Sequence, residues 1–449
     1  MFENLKGIEK EREIKPRKRT TFLKIRDLCD MLISKYSIIE NHAGNWSWWM
    51  AWKGVHEDAK KELEYIDFNQ KHIKDFIFSN EHLQDGKAKY ITGVYSGVLL
   101  SELTKRNKRT RFHIDGQGMQ FDWLFAHAYN IDELVVDNFK GGSICSDIAY
   151  EGKANTAICR NIEGGATFHN AGHRGKGINV LAGINLTGDR IMHDSYAKIM
   201  LAKKIKGDST LDRAGIGSHK IRLITAIDIE GNGALGDIAQ DEDGINELNG
   251  AEVGIIIAKN IKGDNILMNT GQPVEYEKGV EVIYAENIKG NNLLADAAKY
   301  RSRTKYILAK NIQGNQALHE VGGYHSEASR WSGMLRFSRM VHGGRIDNII
   351  ALDITGDNIL EKAGKDGKIE RILYDNIQGK DILKDAKAKK IAEGNHARRQ
   401  FERVAKRYEI NEITELVESL GDQKPDELVK LVKKIQSKYK EVEPLLKNV

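Results

Sequence analysis

Proline is almost missing from this chain: four residues in 449, with none between Pro16 and Pro273. That scarcity argues against long disordered linkers, and beside 43 glycines it suits tightly turned strands. Cysteine is equally scarce. Cys29, Cys145 and Cys159 show no paired spacing, which argues against a disulfide framework or a zinc site. No apolar run approaches the roughly 20 residues that span a bilayer, so no membrane partner is expected. The first residues carry Lys15-Pro16-Arg17-Lys18-Arg19 where a secretory signal would have an apolar segment, and a cytoplasmic location is expected. Neither charge sign dominates: 69 Lys+Arg against 64 Asp+Glu gives +5, a weak pointer to nucleic acid. The chain has no Walker sequence, no G-x-S-x-G elbow and no H-E-x-x-H, and Gly116-Gln117-Gly118 is too short for a nucleotide fingerprint. No cofactor and no catalytic residue is expected.

A recurring phrase is what the chain does have. Its cleanest copy runs from Ile256 to Leu267 (IIAKNIKGDNIL), with others at Ile283 to Leu294, Ile307 to Leu318 and Ile349 to Leu360. Ten central glycines mark the copies: Gly141, Gly164, Gly188, Gly207, Gly231, Gly263, Gly290, Gly314, Gly356 and Gly379. Their spacings are 23, 24, 19, 24, 32, 27, 24, 42 and 23, a unit of 23 to 24 residues with insertions. A fixed period of this size signals a solenoid, in which each unit buries its apolar face only by stacking on its neighbours.

Aligned on the glycine, the positions seven, five and two before it and four after it are almost uniformly apolar, so these columns must face one core. The first two obey the two-residue period of a strand. The column three before the glycine breaks that period: seven of its ten members are asparagine, Asn138, Asn161, Asn185, Asn260, Asn287, Asn311 and Asn376. The chain must bend there, and stacked asparagines can form an amide ladder. The Gly-Asp/Asn pair that follows supplies turn conformations.

These features predict a mainly β fold: a single-stranded parallel β-helix of about ten coils, each with two strands of five or six residues and a corner between them. Parallel crossovers favour the right hand. A leucine-rich repeat fits Leu181 to Ile191 and Ile224 to Ala234, but elsewhere its fourth buried position would hold Arg160, Lys203, Lys259 or Glu286. The expected organisation is a helical N-terminal region over 1–90, a lead-in or cap over 91–133, the solenoid over 134–386 and C-terminal helices over 387–449. Those last helices are expected to cover the open end of the solenoid, where a bare sheet edge would invite aggregation. Four tryptophans, Trp46, Trp48, Trp49 and Trp52, are expected to pack the N-terminal helices onto their neighbour, with an aromatic binding platform as the alternative.

The longest break in the period, 322–348, holds His325, Arg330, Trp331, Arg336, Arg339, His342 and Arg345. Insertions project from one face of a solenoid, and arginines interleaved with aromatic rings suit a partner protein or RNA. The basic segment with Arg398, Arg399 and Arg403 adds to an RNA or ribosome reading. His169 and His193 share the column five after the glycine in successive units, and Asp194 follows in a largely acidic column; equivalent positions stack about 5 Å apart, which suits a metal. The acidic column is interrupted by Arg213 and Lys362, as salt-bridging residues would interrupt it. Cys145 and Cys159 fall in inward columns and read as buried thiols.

The segment Tyr95-Ser96-Gly97-Val98-Leu99-Leu100-Ser101-Glu102-Leu103, followed by glycine-centred strand-turn-strand units, resembles the GXGXG-type β-helix. That family is found at the end of the large chain of glutamate synthase and in one component of formylmethanofuran dehydrogenase. The likeness spans about residues 91–386, although Ala-x-Asn-Ile-x-Gly replaces most of the family's V-x-G-x-x-G rhythm. It implies a structural scaffold and transfers no catalytic positions. The leading expectation is therefore a non-catalytic scaffold or binding protein for a macromolecule, with RNA binding, or an enzyme working near His169, Asp194 and His193, as alternatives.

Overall fold

In a computed structural model of the chain the structure describes residues 20–39, 47–81, 83–173, 177–215, 220–238, 252–271, 279–298, 302–323, 344–365 and 367–446. Among these residues twelve strands, β1 to β12 in chain order, form one all-parallel sheet in which every strand lies beside its sequence neighbours. The first two are β1 (Arg111–Gln120) and β2 (Asn130–Lys140); the last three are β10 (Arg345–Thr355), β11 (Lys368–Gln378) and β12 (Lys390–Glu393). Seven helices accompany them among the described residues: α1 (Thr21–Tyr36), α2 (Trp48–Leu63), α3 (Gln70–Phe78), α4 (Gly86–Arg106), α5 (Asn395–Arg407), α6 (Ile410–Glu418) and α7 (Pro425–Leu446). This is the arrangement of a parallel β-solenoid, and no helix separates the strands of the repeats among the described residues. None of the helices is long and apolar enough to cross a membrane.

Each repeat strand is continuous over ten or eleven residues, longer than the paired short strands expected from the repeat. The bend lies inside it. All ten residues three before the glycine are left-handed, with φ between 52° and 59°, including Lys204, Asp228 and Asp353. Asparagine and aspartate adopt this conformation more readily than other types with a Cβ. Side-chain amides join successive bends: Asn260 donates to Asp228 at 2.9 Å, Asn287 to Asn260 and Asn311 to Asn287 at 3.0 Å. Lys204 interrupts the run, so the ladder resumes at Asp228.

The aspartate or asparagine after the glycine has a second duty. Its side-chain oxygen accepts the backbone N–H of the equivalent residue in the next repeat, as in Asn291 N–H to Asp264 at 2.7 Å and Asn315 N–H to Asn291 at 3.0 Å. Beyond it the chain follows a turn side in which every second residue is left-handed. Ser143, Cys145, Asp147 and Ala149 all have φ between 52° and 58°. Their amides point alternately forward and back: Ser143 to Gly165 O, Cys145 to Leu124 O, Asp147 to His169 O and Ala149 to Ala128 O, at 2.7–2.8 Å. A left-handed residue costs roughly 1–2 kcal/mol, and the inter-repeat hydrogen bonds, each worth about 1 kcal/mol net, offset much of that. The core lies between the sheet's inner columns and the apolar residues of this turn side.

The sheet begins before the first glycine-centred repeat, at Arg111, and runs past residue 386 to Glu393. Gly116-Gln117-Gly118 lies in an irregularity of β1, where the pairing with β2 jumps between Asp115 and Met119. The segment Tyr95–Leu103 lies inside α4, a helix buried over nearly its whole length, and not in the sheet. α4 takes the place of a preceding repeat. The Ser96 hydroxyl accepts the Phe125 N–H at 2.9 Å and the Ser101 hydroxyl accepts the Tyr129 N–H at 2.8 Å. In later repeats the equivalent amides bond to the carbonyls of the repeat before.

The C-terminal helices do not sit as a plug on the end of the sheet. They lie along its outer face, where Ile158, Leu201, Leu223, Ile257, Tyr284, Leu308 and Ile350 share one buried cluster with Phe401, Tyr408, Ile413, Leu428 and Ile435. The physical reason is that the outward positions of the strands are apolar as well as the inward ones, so this face must be covered. The far edge ends instead in the four-residue β12, which opens on Lys390 and follows Lys389, a short charged strand that resists further pairing. Charges on the outer face meet the helices directly. Arg160 pairs with Asp137 and donates to the carbonyls of Gly421 (2.9 Å) and Gln423 (2.6 Å), while Lys203 donates to the Glu418 and Leu420 carbonyls at the end of α6. These side chains are buried, though against the helices and not in the solenoid core. Phe401→Ala should remove about 3–5 kcal/mol of stability and release the C-terminal helices to limited proteolysis; an unchanged denaturation midpoint would contradict this packing.

Candidate functional site

A cleft of about 530 Å³ opens between the N-terminal helices and the turn side of the first repeats. Ser47 caps α2 by accepting the Met50 N–H at 3.3 Å and so directs Trp48 and Trp49 toward it. Both rings are about half exposed, at 47% and 48%. The Trp48 ring meets Tyr90 of α4 edge-on at 4.4 Å and Trp123 at 5.6 Å, and Tyr90 meets Trp123 at 5.0 Å. Trp52 stacks on His127 at 4.7 Å and an interplanar angle of 7°. Of the cluster, Trp52 packs α2 onto the solenoid as expected, while Trp48 and Trp49 line the cleft. Trp46 lies outside the described residues.

The opposite wall is polar and comes from the turn side: Ser143, Ser146, Asp147, His169, Asn170 and Arg190. Asp147 accepts from the Ser146 hydroxyl at 2.7 Å and from the Asn170 amide at 3.3 Å, and makes no ion pair among the described residues. Burial pushes the Tyr90 phenol up, and the Asp147 charge pushes it the same way. The Tyr90 hydroxyl lies 3.1 Å from His127 Nε2. Burial holds His127 below the usual histidine range, and pulls His56, beside the Tyr129 ring, down to about 3.

Farther along the same columns the structure brings His169, His193 and Asp194 together. The two imidazoles stack at 5.4 Å with 13° between planes. Asp194 Oδ2 lies 2.8 Å from His193 Nδ1 and 3.9 Å from His169 Nε2, and Asp212 Oδ2 lies 3.4 Å from His193 Nε2. Burial lowers His193, but pairing with Asp194 and Asp212 outweighs it and raises the group to about 9. Burial of His169 holds that ring below the ordinary range, against the pull of Asp147. Burial alone would raise Asp194; its pairing with His193 and Arg213 holds it below the usual carboxylate range. The interruptions of the acidic column are ion pairs: Arg213 to Asp194 at 3.2 Å and Lys362 to Glu320 at 3.4 Å.

The remaining candidates are dispersed. His325, Arg330, Trp331, Arg336, Arg339 and His342 lie outside the described residues. Arg345 opens β10, exposed, with Nε 3.2 Å from Asp347. Arg398 forks onto Asp353 (2.9 and 2.6 Å) and also reaches Asp375, so it ties α5 to the sheet; Arg399 and Arg403 face outward. Cys145 and Cys159 are buried and free, and burial pushes the Cys159 thiol up. Sequence reasoning missed Trp123, His127 and Asp147 as one site with Trp48. The signal was available: Trp123 and His127 occupy turn-side columns that hold small or polar residues in most later repeats.

Comparison with known protein families, with characterised proteins and with solved structures gave no match.

Proposed function

We propose that this protein is a non-catalytic binding protein built on a right-handed solenoid scaffold of about ten regular coils, and that its cleft receives a cationic group from its partner, such as the ammonium or guanidinium of a basic side chain. Asp147 carries this reading: a half-buried carboxylate without an ion pair among the described residues, facing aromatic rings of Trp48, Tyr90 and Trp123. Ring faces attract cations by about 0.5–2 kcal/mol, most where water is excluded, and Asp147 on the opposite wall supplies the complementary charge, with Arg190 the one competing cation among the described lining residues. A scaffold role is also what the resemblance to GXGXG-type β-helices implies. The RNA reading draws on the outward cations Arg399, Arg403, Lys406 and Arg407 of α5; the engagement of Arg398 with two aspartates counts against it.

Titration with benzyltrimethylammonium, followed by tryptophan fluorescence, tests the cleft. Saturable quenching is expected, with neutral neopentylbenzene, the same shape without the charge, binding at least about tenfold more weakly, since roughly 1.4 kcal/mol is tenfold. Trp48→Ala and Asp147→Asn should each cost the cation a similar factor. Equal binding of the two probes, or indifference to Asp147→Asn, would refute the proposal.

A further inference from the structure

We propose that His169, His193 and Asp194 form a binding site for a divalent transition-metal ion, zinc above all, with Asp212 orienting His193 from outside the ligand set. The fold produces the geometry. Equivalent side chains of successive repeats are stacked by the sheet's own spacing, so two histidines in one column stand parallel, with ring centroids 5.4 Å apart. One carboxylate oxygen, Asp194 Oδ2, lies near both, at 2.8 Å from His193 Nδ1 and 3.9 Å from His169 Nε2. All three donor atoms fall within 4.8 Å of one another. Zinc binds imidazole nitrogen and carboxylate oxygen at about 2.0–2.2 Å, which in a tetrahedron puts neighbouring donors roughly 3.3 Å apart. The two carboxylate–imidazole separations, 2.8 and 3.9 Å, lie on either side of that value.

Three further observations favour a metal over a plain charge cluster. His193 Nδ1 is buried, and the Asp194 oxygen 2.8 Å away faces it at an angle poorer than that of a regular hydrogen bond. The far nitrogen of the same ring faces Asp212 at 3.4 Å, the carboxylate–histidine–metal pattern that fixes a ligand's tautomer and orientation. Arg213 engages the other oxygen of Asp194, Oδ1, at 3.2 Å and leaves Oδ2 for the ion. Three protein donors leave one coordination position open, and His169 also forms part of the cleft wall.

Two other groupings in the molecule show what a non-site looks like. Asp296, His319 and Glu320 occupy the same columns, but Lys362 already places its ammonium 3.4 Å from Glu320 and 3.9 Å from Glu361. His113 and Glu133 lie near Asp426, with Lys433 3.0 Å from Glu133. All three groupings have a cation beside a carboxylate, Arg213 in the proposed site; the others hold one histidine each, and among these groupings of described residues the proposed site alone has two imidazoles.

The full chain, treated with chelator and dialysed, is titrated with Co²⁺ and then Zn²⁺. One equivalent of Co²⁺ should bind with visible d–d absorption of a four- or five-coordinate centre, and Zn²⁺ should displace it. His193→Ala and His169→Ala should each abolish the absorption, and Asp212→Asn should weaken binding by about 10–100-fold. His319→Ala should leave the titration unchanged. Circular dichroism of each variant separates loss of the site from loss of the fold. Absence of stoichiometric binding to the folded wild-type chain, or binding that survives both histidine substitutions, overturns the proposal.

Discussion

Gly290→Ala is expected to destabilise the protein by roughly 4 kcal/mol, enough to unfold a domain of ordinary stability in mild denaturant. Two causes add. Gly290 has φ 152°, a region that side chains with a Cβ rarely adopt. A Cβ there would also overlap the carbonyl oxygen of Gly263, the same position one repeat earlier. Relief is impossible locally, because that carbonyl belongs to the stacked backbone and not to a flexible side chain. Lys289→Ala, one residue away and exposed, should change the midpoint by less than about 0.5 kcal/mol. Urea denaturation of both variants decides the matter: a wild-type midpoint for Gly290→Ala would mean that the repeats are not in this contact.

Acidification from pH 7 to pH 5 should destabilise the contact between the N-terminal helices and the first repeat. His56 is held at about 3 in the folded state against 6.5 for the free group. The folded form therefore binds fewer protons than the unfolded form between those values. Its contribution is fully present above pH 6.5 and is lost as pH falls below it. Over pH 7 to 5 the loss is about 2 kcal/mol for this imidazole. His127, lowered by burial, acts in the same direction, whereas His193, raised to about 9, acts in the opposite one. Because Trp52 stacks on His127, tryptophan fluorescence reports the change directly. His56→Phe keeps the ring and removes the titration; it should flatten the pH dependence of stability across this window. An unchanged slope in that variant would exclude His56 as the cause.

The repeat made the sheet legible because each glycine, asparagine and apolar column is constrained by its own neighbours ten times over. Asparagine in seven of ten bends announces a left-handed residue, and all ten bends are left-handed. The outer face is equally visible in the letters, in Leu201, Leu223, Ile257 and Leu308, yet alternation alone predicts only one buried side. Two buried faces require a cover. The C-terminal helices supply it, although the end of the rod is where the repeat pattern alone would place them. The cleft is the least legible part. It joins Trp48 to Trp123 and Asp147 through the placement of α4 against the first turn side, where Gly93 and Gly97 allow close approach to Trp123 and Ala126. No local pattern encodes that docking. His169, His193 and Asp194 are legible because they obey the column arithmetic.

The helices along the outer face alter how the molecule comes apart. In an array where each unit touches only its neighbours, the ends fray first and independently. Here α5 is tied to β10 and β11 through Arg398, while Lys433 of α7 reaches Glu133 of β2 at 3.0 Å, a contact spanning 300 residues. Opening either end of the sheet strains the same covering layer, so the two ends are thermodynamically coupled. The covering layer begins at Asn395, after every strand of the sheet, and so leaves the ribosome later than all of them. Until then the repeats can stack, but their outer apolar face stays uncovered, and the arrival of α5 to α7 converts a sticky stack into a single cooperative body.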